Sequence, residues 1–125
     1  MPRYVVSVTT SAGGDATAYT DSAVEGDIIS VRYVPHASTP LDTGADVTIT
    51  GADSGIPIIT ITNLGTSAVN YAPRQATHGI TGTAALYAAG GLGVLDRIAI
   101  SGELVKVVVA QGGNALSGKF HIVVS

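Results

Sequence analysis

The chain has no cysteine, no tryptophan, a single phenylalanine, and few charges of either sign. Without cysteine there is no disulfide framework, no thiolate zinc site and no thiol nucleophile. With 5% aromatic residues there is little material for stacking on sugar rings, so a glycan-binding β module ranks last among the readings. The six Lys and Arg are scattered along the chain and outnumbered by nine Asp and Glu, for a net charge of −3. No basic stripe is evident for neutralising phosphates, and no nucleic-acid partner is expected. Long apolar runs are missing too. The most apolar, Val107-Val108-Val109-Ala110, is far too short to span a bilayer, so no membrane partner is expected. The stretch from Met1 to Val8 is soon broken by Ser, Thr and Gly, and the mature protein is expected to begin near Met1, without an export signal.

Charged residues make up 12% of the 125, about half the usual quarter. A compact chain of 12.5 kDa exposes roughly 6,200 Å². A free monomer normally relies on a denser coat of mixed charge to stay apart from its neighbours. The deficit predicts a subunit that lives in an assembly.

What the chain does have is short β-branched runs separated by Gly, Asp, Ser, Asn and Pro. Strands are predicted at residues 4–10, 16–20, 27–34, 46–50, 58–62, 68–71, 95–100, 104–110 and 119–124. In Asp46-Val47-Thr48-Ile49-Thr50 the alternation turns Val47 and Ile49 inward; Ile29, Val31 and Tyr33, and Phe120, Ile122 and Val124, repeat it. Residues 104–109 carry apolar groups on both faces and read as a central strand. Turn chemistry at Gly13-Gly14-Asp15, Glu25-Gly26-Asp27, residues 51–55 and Gly112-Gly113-Asn114 separates these runs. The expected architecture is all-β: one domain over residues 1–125, a β-sandwich or jelly roll of about eight to ten short strands. The N-terminal residues 1–10 are candidates for an exchanged or docking strand. The alanines of Thr83 to Ala89, followed by Gly90, leave a helix open as the alternative there.

The sharpest catalytic motif is Leu41-Asp42-Thr43-Gly44-Ala45-Asp46. It resembles the active-site loop of retroviral-type aspartic proteases, where two subunits each supply one Asp-Thr-Gly and the paired carboxylates divide acid and base roles. In that reading Asp42, Thr43 and Gly44 carry the chemistry of a homodimeric protease. The lead-in His36 to Leu41 is polar and broken by Pro40, however, and Asp96 stands where the downstream family element has glycine. The preferred reading is a turn entering the strand through Ile49, with no catalytic residue and no enzyme. His36, His78 and His121 lie far apart without paired-ligand spacing, so no metal and no cofactor are expected. No Gly-x-Ser-x-Gly elbow is present, and Gly90-Gly91-Leu92-Gly93 runs toward a strand, where a phosphate cradle would open a helix.

The segment Tyr71-Ala72-Pro73-Arg74-Gln75-Ala76-Thr77-His78 gathers an aromatic, a rigid proline and a cation, and no side chain from Gln75 to Leu95 is formally charged. Such a stretch is awkward for a solvated loop and natural for one that docks. Tyr71, Arg74, His78 and Tyr87 are the interface candidates, Tyr and Arg being the types enriched at binding hot spots.

Five strings in order, Val31 to Pro35, Asp46 to Gly51, Ala72 to His78, Ala84 to Gly91 and Val105 to Gly113, resemble segments of small virion structural proteins of tailed bacteriophages, of the head decoration or cement type. That resemblance implies a non-enzymatic protein of the phage head surface, made in the bacterial cytoplasm. It would bind the assembled major capsid protein as a dimer or trimer over a symmetry axis and stabilise the shell, with a tail-associated β module as the further alternative.

Overall fold

The computed structural model describes residues Met1–Ser125. It is all-β, with eleven strands and no helix: β1 (Arg3–Thr9), β2 (Ala16–Tyr19), β3 (Val24–Pro35), β4 (Asp46–Gly51), β5 (Pro57–Ile61), β6 (Val69–Tyr71), β7 (Gln75–Ala76), β8 (Leu95–Asp96), β9 (Ile98–Glu103), β10 (Val105–Ala110) and β11 (Ser117–Val124). One sheet runs β1-β11-β3-β6 with β9 also on β3, a second runs β2-β10-β4-β5, and β7 pairs with β8 alone. Every pairing between these strands is antiparallel.

The two larger sheets bury their inner faces against each other as a sandwich, following the two-residue period of the side chains. Val6 and Val8 of β1, Val47 and Ile49 of β4, Val105, Val107 and Val109 of β10, and Phe120, Ile122 and Val124 of β11 all lie in one apolar core of 21 residues. As its doubly apolar pattern predicts, β10 is central, paired with β2 on one side and β4 on the other. Tyr33 and Phe120 meet with ring centroids 5.3 Å apart. The buried Tyr33 hydroxyl accepts the Leu41 backbone N–H at 3.2 Å, so its polar end is satisfied.

In β3 the expected inward set Ile29, Val31 and Tyr33 is only partly correct. Register shifts where Val123 pairs with Ser30 but Val124 with Ile28, so a bulge inserts one residue and Ile28 takes the core position. Ile28 is fully buried and Ile29 only half-buried.

The same strand explains what leaves the sandwich. One edge of β3 serves two partners: β9 along Val24 to Ile28, and β6 along Val31 to Tyr33. The chain joining β6 to β9 departs between them. Its base is the β7–β8 pair, Gln75 opposite Asp96 and Ala76 opposite Leu95. Thr77 donates its N–H to Val94 O and accepts from Ala85 N, while Val94 N donates to Ala85 O, which joins three chain passages at one point. Two small hairpins fork from there, closed by Gly79 N to Thr83 O and Tyr87 N to Leu92 O. Gly82 and Gly90 turn them at φ +83° and +70°, values that L side chains rarely adopt. The helix left open at residues 83–89 does not form. Seven residues cannot offset the cost of helix nucleation without an apolar face to bury, and the N–H of Ala85 is committed to another passage.

Candidate functional site

The forked arm from Gln75 to Asp96 is the feature that the sandwich does not need. Eight large hydrophobic side chains of the molecule are exposed, and five belong to the arm: Ile80 fully, Leu92 at 81%, Tyr87 at 75%, Leu95 at 59% and Leu86 at 48%. The total accessible surface, 6695 Å², exceeds the roughly 6,200 Å² of a compact chain of this mass, as a protrusion requires. Backbone hydrogen bonds hold the arm open, so its apolar side chains are presented on an ordered support and not on a loose loop.

The four interface candidates separate. Tyr71 lies in β6, half-buried against the core, and belongs to the sandwich. Arg74 stands at the root of the arm, where its guanidinium Nη1 donates to Pro73 O at 2.7 Å and to Ile29 O at 3.2 Å. That second bond fills the gap on the β3 edge between β6 and β9, so Arg74 clamps the arm to the sheet. His78 and Tyr87 are on the arm itself, His78 bridged to Ala84 and Tyr87 exposed. Ile80, Leu86, Leu92 and Leu95 were not singled out by sequence. Their signal was the absence of charge around them, which marks a segment without saying which side chains within it face outward.

Asp42, Thr43 and Gly44 form the turn before β4. The Asp42 N–H donates to Gly112 O at 3.0 Å, its carbonyl accepts Ala45 N at 3.0 Å, and Thr43 O accepts Gly65 N at 3.1 Å. The carboxylate that accepts a backbone N–H beside this turn is that of Asp46, whose Oδ1 takes the Asn63 N–H at 3.1 Å. Asp42 itself is exposed. No three His, Cys, Asp or Glu side chains converge in a set that could hold a metal ion. The segment from Met1 to Thr10 lies within its own molecule, β1 pairing with β11 over seven residues from Arg3 to Thr9.

No family model matches the chain. No curated protein matches it either. Among solved structures it is similar to a chain described as "Crystal Structure of FLHE", at TM-score 0.43 and 15% identity, covering 97% of this chain and 94% of that one. The resemblance to tailed-phage virion proteins is not upheld, since no family model or curated protein of that kind matches and the similarity reported is to the FLHE chain; the capsid-decoration function and the location on the phage head are withdrawn with it. The physical reason is visible in the strings that carried the resemblance. Val31 to Pro35 is the end of β3, Asp46 to Gly51 is β4 and Val105 to Ala110 is β10, and the alternating apolar residues they carry are what any small sandwich requires. The coat-protein partner followed from that assignment and goes no further. The FLHE likeness puts no role in its place.

Proposed function

We propose that the chain is a non-enzymatic assembly module that associates with copies of itself, as a dimer or trimer, through the arm between Gln75 and Asp96. The observation that carries this reading is the concentration of five exposed large hydrophobics on one hydrogen-bonded protrusion whose residues 75–95 carry no formal charge. Each such side chain contributes about 1.5–3 kcal/mol when fully buried. Association costs an estimated 4–15 kcal/mol in lost translational and rotational freedom. One arm buried in a one-way contact therefore roughly breaks even. A symmetric pair of copies buries two arms against one such cost, which favours self-association over docking on an unlike partner.

Light scattering coupled to size exclusion tests the reading. The native chain is expected to elute as a dimer or trimer, and the triple variant Ile80→Ser, Tyr87→Ser, Leu92→Ser as a folded monomer. An oligomer untouched by the three substitutions, or a native chain that stays monomeric at high concentration, contradicts it.

A further inference from the structure

The cations scattered in sequence are not scattered in space. Outward positions alternate along β1 as Arg3, Val5, Ser7 and Thr9, and along β11 as Ser117, Lys119, His121 and Val123, while β3 adds Arg32 and Val34. In the register of the sheet, His121 stands between Val5 on one side and Arg32 on the other, Lys119 between Ser7 and Val34, and Arg3 opposite Val123. Three of the six Lys and Arg residues of an acidic protein thus surround one histidine on three neighbouring strands. No carboxylate belongs to this stretch. The acids of β3, Glu25 and Asp27, lie past the bulge where that strand pairs with β9. Like charges on neighbouring sheet positions are unfavourable, so the sandwich derives no stability from this arrangement. Burial, together with the nearby Arg3, Lys119 and Arg32, holds the His121 imidazole below its ordinary range.

The face ends in a cleft of about 380 Å³. Lys119, His36 and the hydroxyl-bearing Ser7, Thr9 and Ser117 are among its lining residues, and no carboxylate is. His36 Nδ1 accepts the backbone N–H groups of Ser38 and Thr39 at 3.2 Å each, which leaves the ring proton on Nε2 as a donor.

We infer that this outer face, from Arg3 to the cleft beside His36, is a docking surface for an acidic, extended polypeptide segment. Charge complementarity selects an anion. The geometry selects the kind: side chains on one face of an extended chain repeat every ~6.8 Å, the spacing of Lys119 and His121 along their own strand. Single-stranded nucleic acid is bound on aromatic stacking platforms, and this face presents no Phe, Tyr or Trp. Its only aromatic rings are imidazoles. The surface lies on the opposite side of β3 from β6 and β9, where the arm is rooted, and stands independently of the arm's role.

The test uses the full chain and a fluorescent octapeptide of alternating Glu and Ser, with a Lys-Ser octapeptide and an oligothymidylate of similar length as comparisons. The Glu peptide is expected to bind at low salt and to weaken as salt is added. Each exposed ion pair removed costs roughly two- to fivefold in affinity, so Arg3→Ser, Arg32→Ser and Lys119→Ser together are expected to weaken binding by about tenfold or more. All three residues are exposed, and relieving their repulsion leaves the thermal midpoint unchanged or higher. Independently of any variant, NMR of the native chain is expected to show peptide-induced shifts at Arg3, Arg32, Lys119 and His121 and an upward move of the His121 titration. Absence of binding, equal binding by the triple variant, shifts confined to other residues, or tighter binding of the oligothymidylate would overturn the inference.

Discussion

Glu103 is the residue on which two parts of the sandwich are tied together. It ends β9, and its Oε1 accepts the N–H groups of Asp53 and Ser54 at 3.0 Å each and the Ser54 hydroxyl at 3.1 Å, closing the turn after β4. Those donors favour the charged form, the Ser54 backbone first, and hold the carboxyl below its ordinary value of 4.5. A lowered folded-state pKa means that the unfolded chain binds the proton more readily. The stabilisation is therefore complete above about pH 4.5 and is lost as the pH falls through the depressed value. Glu103→Gln is expected to melt below the native protein near neutral pH, and the gap to close in melts recorded at progressively acid pH. A gap that persists unchanged in acid would show that the charge is not what the turn uses. None of this was legible in the sequence. Glu103 and Ser54 are 49 positions apart, and no local pattern announces a contact made by two strands folding over.

At the scale of elements, the strands were legible and their corrections were small. Alternation alone assigns Val47 and Ile49 to the core and Thr48 to the outside, because the side-chain period of a strand is two residues. Ile49→Ala is expected to cost about 2–5 kcal/mol in chemical denaturation, and Thr48→Ala less than about 0.5 kcal/mol. Comparable losses would place the strand in the wrong register. The bulge in β3 escaped notice because an inserted residue leaves composition unchanged and shifts the period by only one position. The arm was legible as an uncharged stretch but not as a fork, since its hydrogen bonds join Thr77, Ala85 and Val94 across the chain. It adds nothing to the core. Replacing residues 77–94 with a short Gly-Ser turn between Ala76 and Leu95 is therefore expected to leave the sandwich's melting temperature within a few degrees of native. A collapse of stability on excision would mean that the arm is part of the fold.

For the whole molecule, scarcity of charge is the property that connects sequence to function, and the structure gives it a location. The average of one charge in eight residues conceals two unlike regions: an arm whose residues 75–95 carry none, and a sheet face holding Arg3, Arg32 and Lys119 together. Composition foretold the first and misjudged the second, because adjacency of β1, β11 and β3 is a property of topology and not of spacing along the chain. The arm's apolar side chains account for the expected association, and the one experiment that observes their contacts directly is photo-cross-linking from the exposed end of a hairpin. With a photoreactive residue in place of Leu92, irradiation is expected to yield covalent dimers or trimers of the chain, their cross-linked peptides joining residue 92 of one copy to another. If the label reacts only with solvent or within its own chain at concentrations where the native protein is fully folded, the arm does not hold copies together and self-association through it is wrong.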